Sequence, residues 1–524
     1  MPELTISLDA PGMTPLHRAG VAGLYMTARA IQERGIPVEG WEGFSATKRS
    51  VTLRWSGSAE AFFNRLGKAS FGVDEKHGLI DFAAIDPARA SLASRWIAHE
   101  GMLGTFCQFG PNNGLGPDKT LALDADGGAP VHFSYRPIDP TASSRGRSYP
   151  HRDAGGADIG LAIEKRRNVE LVGWLYPGAV VRHNAFGETK LDEDAVRALA
   201  LLYAPVGCFF FKIDSRRKGR KARFALLVPE IEDLDAYAHA RLAATDIRVG
   251  EVISSSAGDA ALRLLSRYRA RAVARDLALP RVAVILFGIV VWNEKQKSRT
   301  AIMDVQVRSD RALLRYDRLR GELKPRTGTK KDGGSYLIPP TSLELFADNL
   351  AEGRRFYDGF IDLVVNKEIR DWLGADQKGL SKVVADEKMF DDVMEQRFVE
   401  ACHEALRACF RGVGKRAKAE GIEPTKRFQK EYERWRFSFA RAKSAEAFRG
   451  AITEFWSRGG TNSALREHWK DVLPLLGPAR WKQGRDLALL ALASYPRAEK
   501  DMADQGGDTT DTTDTTDTTE DEQA

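Results

Sequence analysis

Val282-Ala-Val-Ile-Leu-Phe-Gly-Ile-Val-Val-Trp292 is the longest apolar run of the chain, eleven residues. A bilayer-spanning helix needs about twenty, so the run reads instead as a buried strand. Its surroundings set the fold class. Upstream the sequence mixes strands with helices. Beyond about Pro340 the periodicity turns helical and stays so to Tyr495. At 524 residues the chain is too long for a single core. The expectation is an α+β N-terminal body over 1–335, an all-α helical bundle over 336–497, and a disordered acidic tail over 498–524.

Working outward toward the N-terminus, residues 4–8 alternate like a strand. Thr14 and Pro15 supply an N-cap and an N1 proline for a helix to about Arg34. Residues 50–56 read as a strand with Val51, Leu53 and Trp55 on one face, followed by a helix over 59–66. The stretch Phe109-Gly-Pro-Asn-Asn-Gly-Leu-Gly-Pro-Asp118 is a loop, and a second polar loop covers 137–156. Between and beyond them, Val131–Tyr135 and 169–175 read as strands. Residues 207–213 and 223–228 are strands joined by Asp214-Ser-Arg-Arg-Lys-Gly-Arg-Lys221, a hairpin with a basic tip. Residues 257–277 are helical. In the C-terminal segment, glycines and prolines mark off five or six helices.

Charge is distributed unevenly. The chain is formally +6, yet residues 501–524 hold nine acidic residues and no Lys or Arg, which leaves 1–500 at +15 (6 + 9). Residues 401–450 carry thirteen Lys/Arg against six Asp/Glu, a local +7. A body this basic attracts polyanions, nucleic acid foremost. The tail, Asp-Thr-Thr repeats followed by Glu520-Asp521-Glu522, is low-complexity. Cys107, Cys208, Cys402 and Cys409 form no CxxC pair, so neither a zinc site nor a disulfide framework is signalled. Cys402 and Cys409, seven apart on one helical face, read as buried apolar residues. The start, Met-Pro-Glu-Leu, lacks a basic segment followed by an apolar one, so no secretion signal and a cytoplasmic location are expected.

The chemistry-bearing motifs of common enzymes are missing. There is no GxxxxGK[ST] loop, no HExxH and no GxSxG elbow. The nine histidines are dispersed without ligand-like spacing. Cys402 and His403 are neighbours on a helix and point about 100° apart. No catalytic residue, metal site or cofactor is expected, and binding is the favoured class.

The sharpest local signal is residues 425–443. Phe428, Tyr432, Trp435 and Phe439 follow helical spacing and form one apolar stripe. Lys426, Arg427, Lys430, Arg434 and Arg441 fall on the other side, and Arg411, Lys415, Arg416 and Lys418 precede them. A solvated face and a face that follows a phosphate backbone both fit this pattern. Because the stripe faces inward, its aromatics do not suit base stacking. Three further places are candidates, each also readable as an ordinary turn or polar loop, the last of them more readily so than as a contact. These are the hairpin tip with Arg216, Arg217, Lys218, Arg220 and Lys221; the stretch Asn293-Glu-Lys-Gln-Lys-Ser-Arg299; and the loop with Asn112 and Asn113, whose amides match base edges.

Several passages together resemble one family. Thr14-Pro-Leu-His-Arg-Ala-Gly-Val-Ala-Gly-Leu24 is similar to the N-terminal signature of the Myxan-type large subunit of type I CRISPR interference complexes. Gly173-Trp-Leu-Tyr-Pro-Gly-Ala-Val-Val-Arg-His183, Tyr203-Ala-Pro-Val-Gly-Cys208, Leu227-Val-Pro-Glu-Ile-Glu-Asp-Leu234, and Phe287-Gly288 through Trp292 with Gln296-Lys-Ser-Arg299 resemble its middle. Ala401-Cys-His-Glu-Ala405, Phe455-Trp456 and Arg485-Asp-Leu-Ala-Leu-Leu-Ala-Leu-Ala-Ser494 resemble its end.

The resemblance implies a non-catalytic subunit of a guide-RNA Cascade complex. Its α/β portion would contact the guide's 5′ handle and the motif flanking the target, while its bundle, similar to the complex's small subunit, would hold the displaced DNA strand. Base pairing then reads the target and protein reads only the flanking motif. Implied partners are guide RNA, target double-stranded DNA, the other Cascade subunits and a recruited helicase-nuclease, with no membrane.

By position, Gln108, Asn112, Asn113 and Lys119 are flanking-motif candidates. The family's pattern has a His and a basic residue there, where this chain has Phe109 and two asparagines. Arg182, His183, Gln296, Lys297 and Arg299, with Arg216, Arg217, Lys218 and Arg220, are candidate guide or backbone contacts. Translation from Met389 or Met394 would release a separate small subunit of about 130 residues. Members of the family also carry the label fruiting-body developmental protein. The alternative reading is therefore a stand-alone nucleic-acid-binding regulator.

Overall fold

The computed structural model describes residues 1–108, 113–124, 130–142, 146–171, 174–177, 192–215, 220–270, 281–293, 296–306, 310–329, 334–421, 423–460 and 462–496; at 220–222, 269–270, 289–293 and 296–300 it describes the backbone alone. The expected acidic tail, Asn112, Arg182, His183, Arg216, Arg217 and Lys218 lie outside these residues. The chain divides into two compact units, Met1–Asp376 and Gln377–Ala524.

The first unit mixes strands and helices as expected. Ser50–Trp55 is the middle strand of a three-stranded antiparallel sheet between Glu3–Ser7 and Trp41–Ala46. Its alternation buries Val51, Leu53 and Trp55, and Trp55 stacks on Phe62 of the helix Ala59–Ser70 with centroids 5.3 Å apart. The helix Pro15–Arg34 begins at Thr14 and Pro15 and is buried over most of its length. It owes that burial to glycines. A Cβ on Gly20 would stand 1.8 Å from the Ala200 carbonyl oxygen, and one on Gly207 would stand 1.9 Å from that of Ala19. Two of the passages that carry the family resemblance, around Gly20 and around Gly207, are thus in backbone contact with each other.

The apolar run lies in the strand Arg281–Asn293, within a five-stranded sheet ordered Ile253–Ser254, Phe209–Ile213, Arg220–Pro229, Arg281–Asn293, Gln296–Gln306. The first pair is parallel and the others are antiparallel. Val282, Val284, Phe287, Leu226 and Phe211 are buried in it. The pairing slips between Ala222 and Phe224 opposite Gly288, whose φ of +134° is open to glycine and costly to other residues. The helix Ala257–Ala270 carries a buried ion pair. Asp259 accepts from Arg263 (2.9 Å), from the Ser254 hydroxyl (2.7 Å) and from the Ser255 N–H (2.8 Å), while Arg263 also donates to the carbonyls of Glu251 and Ile253. Burial opposes the Asp259 charge, but Arg263, the Tyr316 hydroxyl, Arg320 and the Ser255 N–H outweigh it and hold the carboxyl down at about 2.

Several local expectations are corrected. The span 137–156 is not one loop, because helices start at Pro150 and at Gly155. Gly155 and Gly156, turn-like in sequence, serve close packing instead: a Cβ on Gly156 would stand 2.0 Å from the Phe63 carbonyl oxygen. Among the described residues of 169–175 only Val169–Glu170 is strand, and residues 174–177 form turns. The described part of the helix expected over 257–277 ends at Ala270. Residues 296–299 are no free loop, since Gln296–Gln306 pairs back on Arg281–Asn293 as a second hairpin.

Helices dominate from Thr341 onward, nine α-helices among the described residues, more than the five or six expected. The helix Thr341–Ala351, buried at every position, packs with the first unit: Ser342 donates to Asp376, and the Gly258 N–H donates to Asp348. Among its described residues the second unit holds six α-helices, from Gln377–Ala385 to Trp481–Ser494. All four cysteines are free and buried, Cys402 and Cys409 among them.

Candidate nucleic-acid interface

In the second unit, Asp392 caps the helix Val393–Ala419 by accepting from the Met394 N–H. That helix buries Phe398, Cys402, Leu406, Cys409 and Val413 and leaves Arg411, Lys415, Arg416 and Lys418 exposed. Pro424 then opens the helix Pro424–Arg441 at a position where no N–H is needed. Its expected stripe does turn inward. Trp435 and Phe439 are fully buried, each meeting Phe455 edge-on at centroid distances of 5.0 and 5.4 Å. The first half of the stripe is shallower: Phe428 and Tyr432 are half-buried, with Phe428 5.2 Å from Phe410.

Lys426, Lys430, Arg434 and Arg441 are exposed on the other side, while Arg427 is half-exposed and pairs with Glu420. Arg434 donates to Glu454 at 2.9 Å, and Arg458 reaches the same carboxylate at 3.2 Å. Among the described residues no carboxylate lies within ion-pair distance of Lys426, Lys430 or Arg441. Burial pushes the Cys409 thiol up to about 11, with Glu431 adding and Arg458, Arg434 and Arg416 opposing. Cations from three helices therefore lie within electrostatic reach of one buried point.

Sequence reasoning missed two residues here. Arg436, within the cationic stretch, is buried and clamped by Glu433. Phe437 is 46% exposed. The signal was present, because 437 lies eleven residues beyond Lys426 and seven beyond Lys430, on the same side as the cations. The inward stripe claimed every other aromatic of the helix and hid it.

The flanking-motif candidates are built differently from one another. Gln108 is exposed and donates to the Gly104 carbonyl (2.6 Å), and Lys119 is exposed at the start of the strand Lys119–Leu123. Asn113 is buried, its amide donating to the Cys107 carbonyl at 2.7 Å, so it braces the loop from within. The Gly114 N–H donates to the Ser148 carbonyl and the Gly116 N–H to that of Pro137. Arg136, missed in the sequence, is exposed and donates to the carbonyls of Gly116 and Leu115.

Buried His99 accepts from the Ile80 N–H at Nδ1 and therefore donates from Nε2 to the Arg136 carbonyl; burial pulls it down to about 4. Glu100 beside it is pushed up to about 7 by burial, with Lys212 opposing and Asp118 adding.

The remaining candidates among the described residues gather at one end of the five-stranded sheet. Arg220 is in register with Val290, Val290 with Ser298, and Val291 with Lys297, so Arg220, Gln296, Lys297 and Arg299 belong to neighbouring hairpin ends. No helix among the described residues is long and apolar enough to cross a membrane. Among them, no three His, Cys, Asp or Glu residues are grouped as a metal site requires.

Two family matches flank the middle of the chain. The DevT N-terminal domain matches residues 5–202 and the DevT C-terminal domain matches 386–524. The second match begins just before the helix Val393–Ala419 and takes in both cation-bearing helices. Over 526 aligned positions the chain is 33% identical to the CRISPR-associated protein Cas8a1/Csx13 of Myxococcus xanthus (strain DK1622), an alignment that covers 94% of this chain and 88% of that protein.

Proposed function

The chain belongs to the family of the CRISPR-associated protein Cas8a1/Csx13 and carries both DevT domains, and from that premise we propose that it is the non-catalytic large subunit of a type I RNA-guided interference complex. In this reading it binds target DNA beside the guide-paired segment and holds the opened strands apart. The observation that carries the reading is the exposed row Lys426, Lys430, Arg434 and Arg441, with Arg411, Lys415, Arg416 and Lys418 exposed on the preceding helix. Such rows follow a phosphate backbone without reading sequence. Motif reading then falls to Gln108 and Lys119, before and after the bracing Asn113 in the chain, and to Arg136. Guide-handle contacts fall to the hairpin ends that carry Arg220, Lys297 and Arg299.

The test is purification of the tagged chain, co-expressed with its neighbouring genes and a repeat array, followed by sequencing of the bound RNA. Short RNAs with a constant repeat-derived 5′ end, together with several stoichiometric proteins, are expected. Elution of the chain alone, or with heterogeneous RNA, would replace this reading with a stand-alone nucleic-acid-binding regulator. Replacing Lys426, Lys430 and Arg434 together by Glu is expected to weaken DNA binding for every sequence alike and to flatten its salt dependence.

A further inference from the structure

We propose that Phe437 is a stacking platform for an unpaired base of single-stranded DNA, set inside the cation row of the helix Pro424–Arg441. The proposal rests on the reading of the bundle as a nucleic-acid surface and names how that surface would tell single strands from duplex.

Three observations carry it. The first is exposure: Phe437 leaves 46% of its surface to solvent, while Trp435 and Phe439 on either side are fully buried. A large exposed aromatic on a helix whose neighbouring rings are all used in the core marks a contact surface. The second is register. Lys426, Lys430, Arg434, Phe437 and Arg441 follow one another at helical spacings of four, four, three and four residues. A strand whose phosphates follow the cations therefore passes its bases over this ring.

The third observation is support. The buried guanidinium of Arg436 lies over the ring, 4.1 Å from its centroid, and Glu433 clamps that guanidinium in turn. The ring is thus held in place before any ligand arrives, which lowers the entropy cost of stacking. Arg441 stands 5.5 Å from the same centroid and is exposed, placed to meet the adjoining phosphate. An aromatic face beside flexible cations is the chemistry of sequence-tolerant single-strand binding. A paired duplex offers no free base face to such a ring.

The experiment uses the full chain and a fluorescein-labelled single-stranded DNA, its duplex and an RNA of the same sequence, with a 2-aminopurine-bearing copy of the single strand as the stacking probe. Phe437→Ala is expected to weaken single-strand binding about 5- to 100-fold. Duplex binding and the slope of affinity against salt should stay unchanged, and the 2-aminopurine quench should disappear. Phe437→Trp should restore both affinity and quench, whereas Phe437→Leu, which keeps an apolar side chain, should not.

Wild-type single-strand affinity in Phe437→Ala would overturn the proposal, as would equal losses on single strand and duplex. Full activity of Phe437→Leu would reduce the contact to plain burial, and tighter Phe437-dependent binding of the RNA would overturn the assignment to DNA. The glutamate triple variant separates the two levels. If it weakens binding while Phe437→Ala does not, only the platform falls. If the triple variant has no effect, the nucleic-acid reading of the bundle falls with it.

Discussion

Gly20 shows how much a single residue decides in the first unit. Its missing side chain lets the helix Pro15–Arg34 touch the backbone at Ala200, where a methyl group would stand 1.8 Å from an oxygen. Gly20→Ala is therefore expected to destabilise the first unit by about 1–3 kcal/mol or more, measured as a fall in the urea midpoint. Asp259→Ala leaves the buried Arg263 charge uncompensated and should cost about 3–5 kcal/mol.

Titration of His403 supplies the prediction for the second unit. Burial holds His403 down at about 4, although its donation to the Ala491 carbonyl opposes the shift. Below about pH 6.5 the unfolded chain takes up a proton that the folded chain refuses, so stability is full above that pH and declines on acidification. From pH 7 to pH 5 the loss should be about 2 kcal/mol, and it should vanish in His403→Gln; urea unfolding at the two pH values checks both.

The residue scale is also where sequence reading was most uneven. The inward course of Trp435 and Phe439 was legible from spacing alone. Phe437 and Arg436 were not picked out, because a stripe assignment sorts residues by type when the deciding fact was which neighbour each one meets. Asn113 read as an outward amide because only the folded loop shows the Cys107 carbonyl that occupies it.

At the scale of elements, strands and helices with strong periodicity were legible, while those defined by long-range pairing were not. The strand Ser50–Trp55 and the helix Pro15–Arg34 match their expected bounds closely because alternation and capping are local signals. The strand Gln296–Gln306 was missed because its polar start gives no alternation, and only pairing with Arg281–Asn293 makes it a strand. The helix Gly155–Glu164 was missed for the converse reason. Its glycines, local turn signals, are there so that the helix can approach Phe63.

A prediction follows for the helix Pro424–Arg441, one side of which is buried and the other exposed. Phe439→Ala should destabilise the second unit by about 3–5 kcal/mol, whereas Phe437→Ala should change its stability by less than about 0.5 kcal/mol. Thermal melts of the two variants decide whether the inward side alone carries the stability.

Taken whole, the molecule is two separately packed units, so its parts can be tested apart. A fragment beginning at Gln377 should fold cooperatively by circular dichroism. One beginning at Met389 lacks the helix Gln377–Ala385, whose Leu380, Val383 and Val384 are buried and which packs against Trp481–Ser494. It should melt lower and expose apolar surface, and an immunoblot against the C-terminus shows whether cells make such a product. The general plan, a mixed body followed by helices, was legible in the change of period near Pro340. That helices through Leu373 pack with the body was not, because burial on every side leaves Thr341–Ala351 without the polar face that would have placed it.

The cation row also has a length. From Lys426 to Arg441 is fifteen residues, about 22 Å of helix. At about 3.4 Å per stacked nucleotide this covers about six or seven of them. Under the proposed function, binding should climb steeply as an oligonucleotide lengthens to that footprint and level off beyond it, so that the helix would act as a ruler.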